Sequence, residues 1–355
     1  MRRSSQINRL LIIRNDRLGD LILTLPAINY ARQAFPEATI TALVSPRTAA
    51  LLHGNSDVDS VLTDDGESTG WELGRRLKPY DFDAVAVIHS STRNCLAVWR
   101  ARIPLRVTWA HRPWSWLLGN RLIRLHRSHP PIHESDFAIA FVKRLKNDTR
   151  IRPEVSPLSI PDETLRRMRT RLAADLGSQT PWIGVHPGSS NSAYNWPPSR
   201  YAELVRRLVD YGRVVLTGGP GEEALLASIY RSVPQRSQSH VACYHEFSLL
   251  ELAAAISNLD VITVSNTGPM HLAGLVGTPV VALFSSHLFQ SPKKWEPLGG
   301  RKTILQAPWP EEQAMRGPPH RAWEHMCQIS VDDVVEANLR FLAEVKATGL
   351  VSGFA

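Results

Sequence analysis

Short runs of aliphatic, often β-branched residues recur along the chain. Each is followed by a glycine-rich or polar turn and then by apolar residues at helical spacing. This rhythm is typical of parallel α/β units. In the first half it predicts strands at 9–14, 38–44, 58–62, 83–89 and 105–109. The segments between them predict helices near 19–34, 46–53, 70–78, 91–101 and 133–147.

The second half repeats the rhythm, with strands predicted at 182–186, 213–217, 240–244, 261–265 and 279–284. Helices are predicted at 162–177, 199–211, 221–232, 248–257 and 269–276. The proline-rich, polar stretch 148–161 indicates a connection between domains. We therefore predict an α/β protein of two doubly wound, Rossmann-like domains, 1–155 and 156–330, facing a ligand-binding cleft. An amphipathic helix at 331–347 is expected to pack back on the N-terminal domain.

Composition supports a folded protein, because 43% of the 355 residues are hydrophobic. The N-terminal letters MRRSS resemble the start of a signal peptide, but the apolar run at 10–13 is short and RNDR follows it. Export is therefore not predicted. No apolar stretch approaches the roughly 20 residues of a membrane span. These features predict a cytoplasmic protein.

The cysteines give no sign of a metal centre or of disulfides. Cys95, Cys243 and Cys327 have neither zinc-site nor disulfide spacing, which favours a reducing compartment. His320 and His325 lie near Cys327, but no fourth ligand stands at a recognisable distance. Neither a metal nor a cofactor is predicted.

The net charge of +8 is unevenly distributed. The window from Ala84 to His133 has no Asp, Glu or Lys, but it contains eight arginines and four tryptophans. The arginines are Arg93, Arg100, Arg102, Arg106, Arg112, Arg121, Arg124 and Arg127, and the tryptophans are Trp99, Trp109, Trp114 and Trp116. This mixture suits an anionic lipid surface or a phosphorylated acceptor. The alternative is a solvated basic face with tryptophans in the core.

The first motif, RNDRLGD at 14–20, joins the first strand to the first helix. Gly19 permits a tight turn, and Asp20 stands near the helix start. A carboxylate at the mouth of a cleft can serve as a general base. The alternative is that Asp20 only caps the helix.

The second motif is HPGSS at 186–190, followed by NWPPSRYAEL at 195–204. A strand ends here in a Gly/Ser loop, and the backbone amides and hydroxyls of Ser189 and Ser190 could hold phosphate oxygens. An ordinary strand-to-helix loop is the alternative.

The third motif is LTGGPGEE at 216–223. Gly218 and Gly219 would let a ligand approach the backbone, and Glu222 or Glu223 could bind ribose hydroxyls. The two glutamates are equally consistent with ordinary acidic residues in a first helical turn.

The fourth motif is SNTGPMHLA at 265–273. After a strand, Thr267 can cap a helix whose first turn contains Pro269. Free N–H groups at such a helix start form an anion site suited to a pyrophosphate. The predicted donor-binding residues here are Asn266, Thr267, Gly268, Pro269, Met270 and His271; for His271 a buried structural role is the alternative.

Together these four segments resemble glycosyltransferase family 9, the lipopolysaccharide heptosyltransferase family. The similarity runs from about residue 8 to 345 and is loose over 90–160. It implies a GT-B fold, with the acceptor bound by the N-terminal domain and the nucleotide sugar by the C-terminal domain. It further implies metal-independent inversion, with Asp20 on the family's proposed general base. Thr267, Gly268 and His271 fall on its donor-phosphate loop, and Glu222 or Glu223 falls near the ribose.

The resemblance also implies the partners: a nucleotide-sugar donor, by default ADP-heptose, and an anionic, lipid-linked glycan acceptor at the inner face of the bacterial inner membrane. Nucleic acid is not a predicted partner. The predicted acceptor-binding residues are Arg14, Arg17, Arg93, Arg112, Arg121 and Arg124.

Two positions depart from the family pattern: Tyr194 replaces a basic residue, and Asn266 an aspartate. Arg14, Arg17, Lys293 or Lys294 could supply the missing cation. The competing hypotheses are a nucleotide-sugar epimerase or hydrolase of the same architecture, and a non-catalytic nucleotide-sugar-binding protein.

Overall fold

A computed structural model describes residues 6–125, 132–178, 181–190, 193–285, 287–308 and 325–348. The chain divides between Ser159 and Ile160 into two compact units. The segment before this boundary stays on the first unit, where Ser156 Oγ donates to Asp57 at 2.5 Å and the Glu154 amide donates to Asn29.

Six parallel strands form the sheet of the first unit, in the order β3-β2-β1-β4-β5-β6. They are β1 (Arg9–Arg14), β2 (Thr39–Val44), β3 (Ser60–Thr63), β4 (Ala84–Val87), β5 (Leu105–Trp109) and β6 (Arg121–Ile123). The central strands β1 and β4 are almost continuously buried, because helices cover both faces of the sheet. The short edge strand β6 was not predicted.

The helices of this unit are α1 (Leu18–Ile22), α2 (Leu25–Ala34), α3 (Gly70–Leu77), α4 (Thr92–Arg100), α5 (Pro113–Leu118) and α6 (Glu134–Lys143), with 3-10 turns at Ala49–Leu52 and Lys78–Tyr80. The helix predicted over 19–34 is interrupted at Leu23 and Thr24. Pro26 explains the break, because it has no N–H to donate to Ile22 and its ring would clash with that carbonyl. The helix predicted at 46–53 is only a 3-10 turn, and α5 was not predicted.

The second unit repeats the strand order of the first, as β12-β11-β10-β7-β8-β9. Its strands are β7 (Trp182–His186), β8 (Arg213–Thr217), β9 (Val241–Tyr244), β10 (Val261–Ser265), β11 (Val280–Phe284) and β12 (Lys302–Gln306). The unpredicted β12 is an edge strand whose residues are half-buried or exposed, so it has no continuous apolar run.

The helices of the second unit are α7 (Asp162–Leu176), α8 (Pro198–Leu208), α9 (Glu223–Ser232), α10 (Leu249–Ser257), α11 (Gly268–Val276), α12 (Pro292–Trp295) and α13 (Val331–Thr348), with 3-10 turns at Gln235–His240 and Leu288–Gln290. The predicted packing of the C-terminal helix on the N-terminal domain is corrected here. Helix α13 packs on α8 and on β10–β12, because its apolar face, including Val334, Val335 and Phe341, joins the core of the second unit.

The two Rossmann-like units therefore have equivalent switch points, where the order of strands along the sheet reverses. These lie between β1 and β4 in the first unit and between β7 and β10 in the second. Ligands of doubly wound sheets bind outside the carboxyl ends of the strands at such points.

Candidate functional site

At the carboxyl end of β1, the buried guanidinium of Arg14 is surrounded by carboxylates. It donates hydrogen bonds to Asp20 and, from both terminal nitrogens at 3.1 Å, to Glu134. Its Nε lies 2.9 Å from Asp16 Oδ1, without the alignment of a hydrogen bond. The structure thus brings together the end of β1, the first turn of α1 and the first residue of α6.

Arg14 is 3% exposed, and its burial by itself favours the neutral form. The three carboxylates outweigh this desolvation and raise the pKa of Arg14 above its usual range. The side chain is therefore a permanent cation whose charge is already engaged. This corrects its predicted role in acceptor binding, since the guanidinium is not presented to a ligand.

Asp20 is the third residue of α1, whereas the N-cap is Arg17. Asp20 is therefore not the N-cap, but it lies in the first turn, where the helix dipole favours a carboxylate, as the alternative to catalysis supposed. Its side chain is 15% exposed and is held by Arg14 beside the first switch point. Arg17 itself is exposed, and its role in acceptor binding stays a prediction.

Arg93, on α4, is half-buried and already paired. Its two terminal nitrogens each lie 2.7 Å from a different oxygen of the buried Asp64, and one also donates to Ser68 Oγ. Such a bidentate pair fixes the guanidinium plane. Arg93 thus stands near the switch point with its charge largely compensated.

The remaining predicted acceptor residues lie on the surface of the first unit. Arg112 and Arg124 are exposed, and Arg121 is half-buried on β6. Helix α5 presents apolar side chains between them, with Leu117 80% and Trp116 52% exposed. The other exposed tryptophans of the window are Trp114 and Trp99, whereas Trp109 is half-buried, donates to Leu125 O and stacks on His111. Arg127 lies outside the described residues. We call Arg112, Trp114, Trp116, Leu117 and Arg124 the α5 surface.

In the second unit, the fourth motif folds as predicted into a strand end followed by a helix start. Thr267 is the N-cap of α11 with an extended backbone, and Pro269 lies in the first turn. Thr267 Oγ1 donates to Ser265 O rather than capping the helix. Met270 and His271 are buried, so the side chain of Met270 belongs to the core, and its amide donates to Thr267 O at 3.1 Å.

Glu222 joins the loops that follow β7 and β8. One carboxylate oxygen accepts from the Gly219 amide at 2.7 Å, and the other accepts from the Ser190 amide at 3.1 Å. A Cβ on Gly188 would lie 1.8 Å from this carboxylate, so the contact requires glycine there. Glu223 is exposed, and the Gly221 amide that it accepts from lowers its pKa. Of the two predicted glutamates, Glu222 is therefore the one that faces the loops.

Buried polar side chains form hydrogen bonds next to these loops. His186 Nδ1 lies 2.9 Å from Thr217 Oγ1, and burial lowers the pKa of His186 to about 4 against the opposing charge of Glu222. Asn195 donates to Pro187 O and accepts from the Tyr201 hydroxyl at 2.8 Å. The loop after β7 is thus fixed at both ends before any ligand binds.

Lys294 is a buried cationic side chain of the second unit. Its ammonium lies 5.2 Å from the centre of the Trp295 ring and 5.6 Å from that of Phe289, and the Trp295 ring contacts His271. Lys293 is exposed, and Tyr194 packs against His287. Among the cations that could replace the missing family residue, Lys294 is connected to α11 through the Trp295 ring, which contacts His271.

Sequence reasoning missed Glu134 and Asp64, which are distant in sequence from Arg14 and Arg93. Within the described ranges, no group of three or more His, Cys, Asp or Glu side chains could hold a metal ion. Of the metal ligands considered above, His320 lies outside those ranges. No helix in the same ranges is long and apolar enough to cross a membrane.

The profile of glycosyltransferase family 9 (heptosyltransferase) matches residues 70–318. A protein of Haemophilus influenzae with the provisional name glycosyltransferase is 27% identical over 303 residues, which cover 82% of this chain and 86% of the relative. Lipopolysaccharide heptosyltransferase 2 of Escherichia coli K12 is 24% identical over 312 residues, covering 84% and 88%.

Solved structures show the same fold. A glycosyl transferase family 9 protein from Veillonella parvula superimposes with a TM-score of 0.78 at 21% identity, covering 95% of this chain and 97% of that one. The E. coli ADP-heptose lps heptosyltransferase II gives a TM-score of 0.77 at 22% identity, covering 95% and 99%. The predicted GT-B architecture is confirmed.

Proposed function

Because this chain belongs to glycosyltransferase family 9 and is a glycosyltransferase, we propose that it transfers heptose from ADP-heptose to an anionic acceptor of the lipopolysaccharide core, with inversion and without a metal ion. The relatives named above suggest this donor and acceptor. The observation that carries the proposal is the carboxylate of Asp20, held by a buried arginine at the switch point of the first sheet.

In the proposed reaction Asp20 removes the proton from an acceptor hydroxyl. The hydroxyl oxygen attacks the anomeric carbon as the bond between that carbon and the diphosphate breaks. The electron pair of the broken bond leaves with ADP, and the proton stays on Asp20. Arg14 fixes the position of the carboxylate, and Glu134 fixes Arg14.

The leaving diphosphate gains negative charge, which must be stabilised. The N-terminus of α11 offers backbone N–H groups and a positive dipole, preorganised electrostatics of the kind that dominates many enzymes. Lys294 would add a full charge near this point, in the role that Tyr194 does not fill. Two such sources of positive charge support catalysis without a metal ion.

We also propose that the α5 surface holds the protein at the inner face of the bacterial inner membrane. The exposed Trp114, Trp116 and Leu117 are suited to the headgroup region, and Arg112 and Arg124 are suited to anionic lipids. Both contributions would place the first unit beside a lipid-linked acceptor.

A thermal-shift series with ADP, UDP, GDP and ADP-heptose tests the donor assignment. A ligand at 100 times its Kd stabilises the native state by about 2.7 kcal/mol. We expect ADP and ADP-heptose to raise the Tm and the guanine and uracil nucleotides to have little effect. Transfer from ADP-heptose to deacylated inner-core lipopolysaccharide, followed by mass spectrometry, tests the reaction. Stabilisation by UDP or GDP alone, or an unchanged acceptor mass, would contradict the proposal.

A further inference from the structure

A chain of hydrogen bonds connects the loops after β1, β3 and β4. Asn15 follows β1, Asp64 follows β3, and His89 follows β4. Arg93 and Asn94, in the first turn of α4, complete this chain of hydrogen bonds. All of these side chains are buried or half-buried at the carboxyl edge of the first sheet.

The hydrogen-bond chain begins with the ionised carboxylate of Asp64. Burial alone would raise the pKa of Asp64, but hydrogen bonds from Arg93 and Asn15 lower it. Because an ionised carboxylate only accepts hydrogen bonds, the group of Asn15 that lies 2.5 Å from Asp64 is its NH2. The carbonyl oxygen of Asn15 therefore points the other way, toward His89 and Asn94.

That orientation determines the tautomer of His89. Asn94 Nδ2 donates to Asn15 Oδ1 at 2.8 Å and also to the carbonyl of His89 at 2.9 Å, which fixes the amide of Asn94. His89 Nδ1 lies 2.8 Å from the same Asn15 oxygen. Since this oxygen can only accept, Nδ1 must carry a proton, so in the neutral form of the ring the lone pair is on Nε2.

His89 stands at the switch point itself. Its backbone amide donates to Ile13 O on the neighbouring strand, one residue before Arg14. Within the described part of the chain, Nε2 makes no hydrogen bond, and it is not among the buried polar atoms that lack a partner. It is therefore open to solvent on the edge of the sheet that also carries the loop with Asp20.

We propose that His89 Nε2 accepts a hydrogen bond from a neutral hydroxyl group of the acceptor sugar, and that Arg93, Asp64 and Asn15 hold the ring in the tautomer required. This inference rests on the proposed function, since it assigns a specificity residue to the acceptor site. A lone pair selects a hydroxyl donor and disfavours a phosphate or carboxylate at this point. Anionic groups of the acceptor are left to exposed arginines such as Arg17.

Two substitutions test the roles of the two ring nitrogens of His89 separately. His89→Asn can keep the hydrogen bond of Nδ1 to Asn15 but has nothing at the position of Nε2. His89→Gln can place its amide oxygen there. Loss of a neutral hydrogen bond costs about 1 kcal/mol, and 1.4 kcal/mol is a tenfold change, so the Asn variant should weaken acceptor binding roughly 5- to 10-fold. The Gln variant should stay within about threefold of wild type on the same scale.

The measurement is calorimetric titration of deacylated inner-core lipopolysaccharide into the protein saturated with ADP, which needs no turnover. ADP affinity should be the same in all three proteins. An Asn variant with wild-type acceptor affinity, a Gln variant as weak as the Asn variant, or no acceptor binding by the wild type would overturn the inference. Binding without transfer from ADP-heptose would instead overturn the proposed function alone.

Nitrogen-15 NMR of labelled histidine tests the tautomer independently. The His89 signals, identified by their absence in the Gln variant, should above pH 8 show a protonated Nδ1 and an unprotonated Nε2. A proton on Nε2 under these conditions would overturn the proposal, whatever the titrations give.

Discussion

Both terminal nitrogens of Arg14 donate to one carboxylate oxygen of Glu134, and the two side chains are almost inaccessible to solvent. The two residues are 120 positions apart. They connect the end of β1 to the start of α6, where a negative charge is favoured by the helix dipole. Replacing Glu134 removes one of the three carboxylates that compensate the buried charge of Arg14, so this pair should stabilise the first unit.

Glu134→Gln should lower the free energy of unfolding by about 1.5–3 kcal/mol, the usual value of a hydrogen bond to a charged group. Urea unfolding followed by circular dichroism measures it. Glu336→Gln is the matched control, because Glu336 pairs with Arg340 on the exposed face of α13. This exposed pair should contribute no more than about 0.5 kcal/mol. Equal, small losses in both variants would show that the buried pair does not stabilise the unit.

Asp20→Asn should reduce kcat at least about 100-fold, the usual effect of losing a general base. Affinity for ADP should not change, because Asp20 lies in the first unit. Asp16→Asn is the control, since it removes a carboxylate from the same arginine without removing the proposed base. We expect the control to retain turnover within about tenfold of wild type, because it leaves proton transfer intact. Near-normal turnover of Asp20→Asn would exclude Asp20 from the chemistry.

Chelation tests the role assigned to α11 and Lys294. Transfer activity should be unchanged after dialysis against EDTA, because N–H groups and an ammonium meet the charge of the leaving diphosphate. Lys294→Met, in the same assay, should lower kcat while the EDTA-treated wild type stays active. Activity that EDTA abolishes and magnesium or manganese restores would contradict metal independence.

Replacing Arg112, Arg121 and Arg124 with Ser should weaken binding to anionic vesicles. Each basic residue near such a surface contributes about 1 kcal/mol, and salt screens the effect. The apparent KM for a lipid-linked acceptor should rise, while ADP affinity should not change. Replacing the exposed Arg166, Arg206 and Arg231 of the second unit with Ser changes the net charge equally and is the control. Equal effects of the two triple variants in vesicle sedimentation would refute a localised membrane surface.

His186 makes stability depend on pH. Its pKa is lowered by burial from 6.5 to about 4, so the unfolded chain binds a proton more readily than the native one. The stabilising contribution of the neutral ring is complete above pH 6.5 and is lost as the pH falls toward 4, by up to about 3 kcal/mol. His186→Asn retains a hydrogen-bonding group for Thr217 and should flatten this slope. Identical slopes for the two proteins in urea titrations between pH 6.5 and 4 would disprove the assignment.

The sequence predicts this fold well where burial is continuous. The aliphatic runs of β1 and β10 give the bounds that the structure shows, because both faces of a central parallel strand are covered. Edge strands such as β6 and β12 lack that signal. The role predicted for Arg14 was wrong because its partner Glu134 is close only in the folded chain. The contact between Asp64 and Asn15 was missed for the same reason, because the two residues are far apart in sequence and meet only in the folded chain.

The carboxylate of Glu222 has a consequence for the direction in which a nucleotide can lie. It places a negative charge over the loops after β7 and β8, while the positive end of α11 and the ammonium of Lys294 stand beyond β10. The carboxylate thus follows β8, whereas the helix start and the lysine follow β10 and β11. A molecule with a neutral, hydroxyl-bearing end and an anionic end has one favourable alignment in such an arrangement, with ribose beside Glu222 and phosphates beside α11. The reverse alignment would bring two like charges together, so we expect the polarity of this edge to orient the proposed nucleotide-sugar donor before any base-specific contact is made.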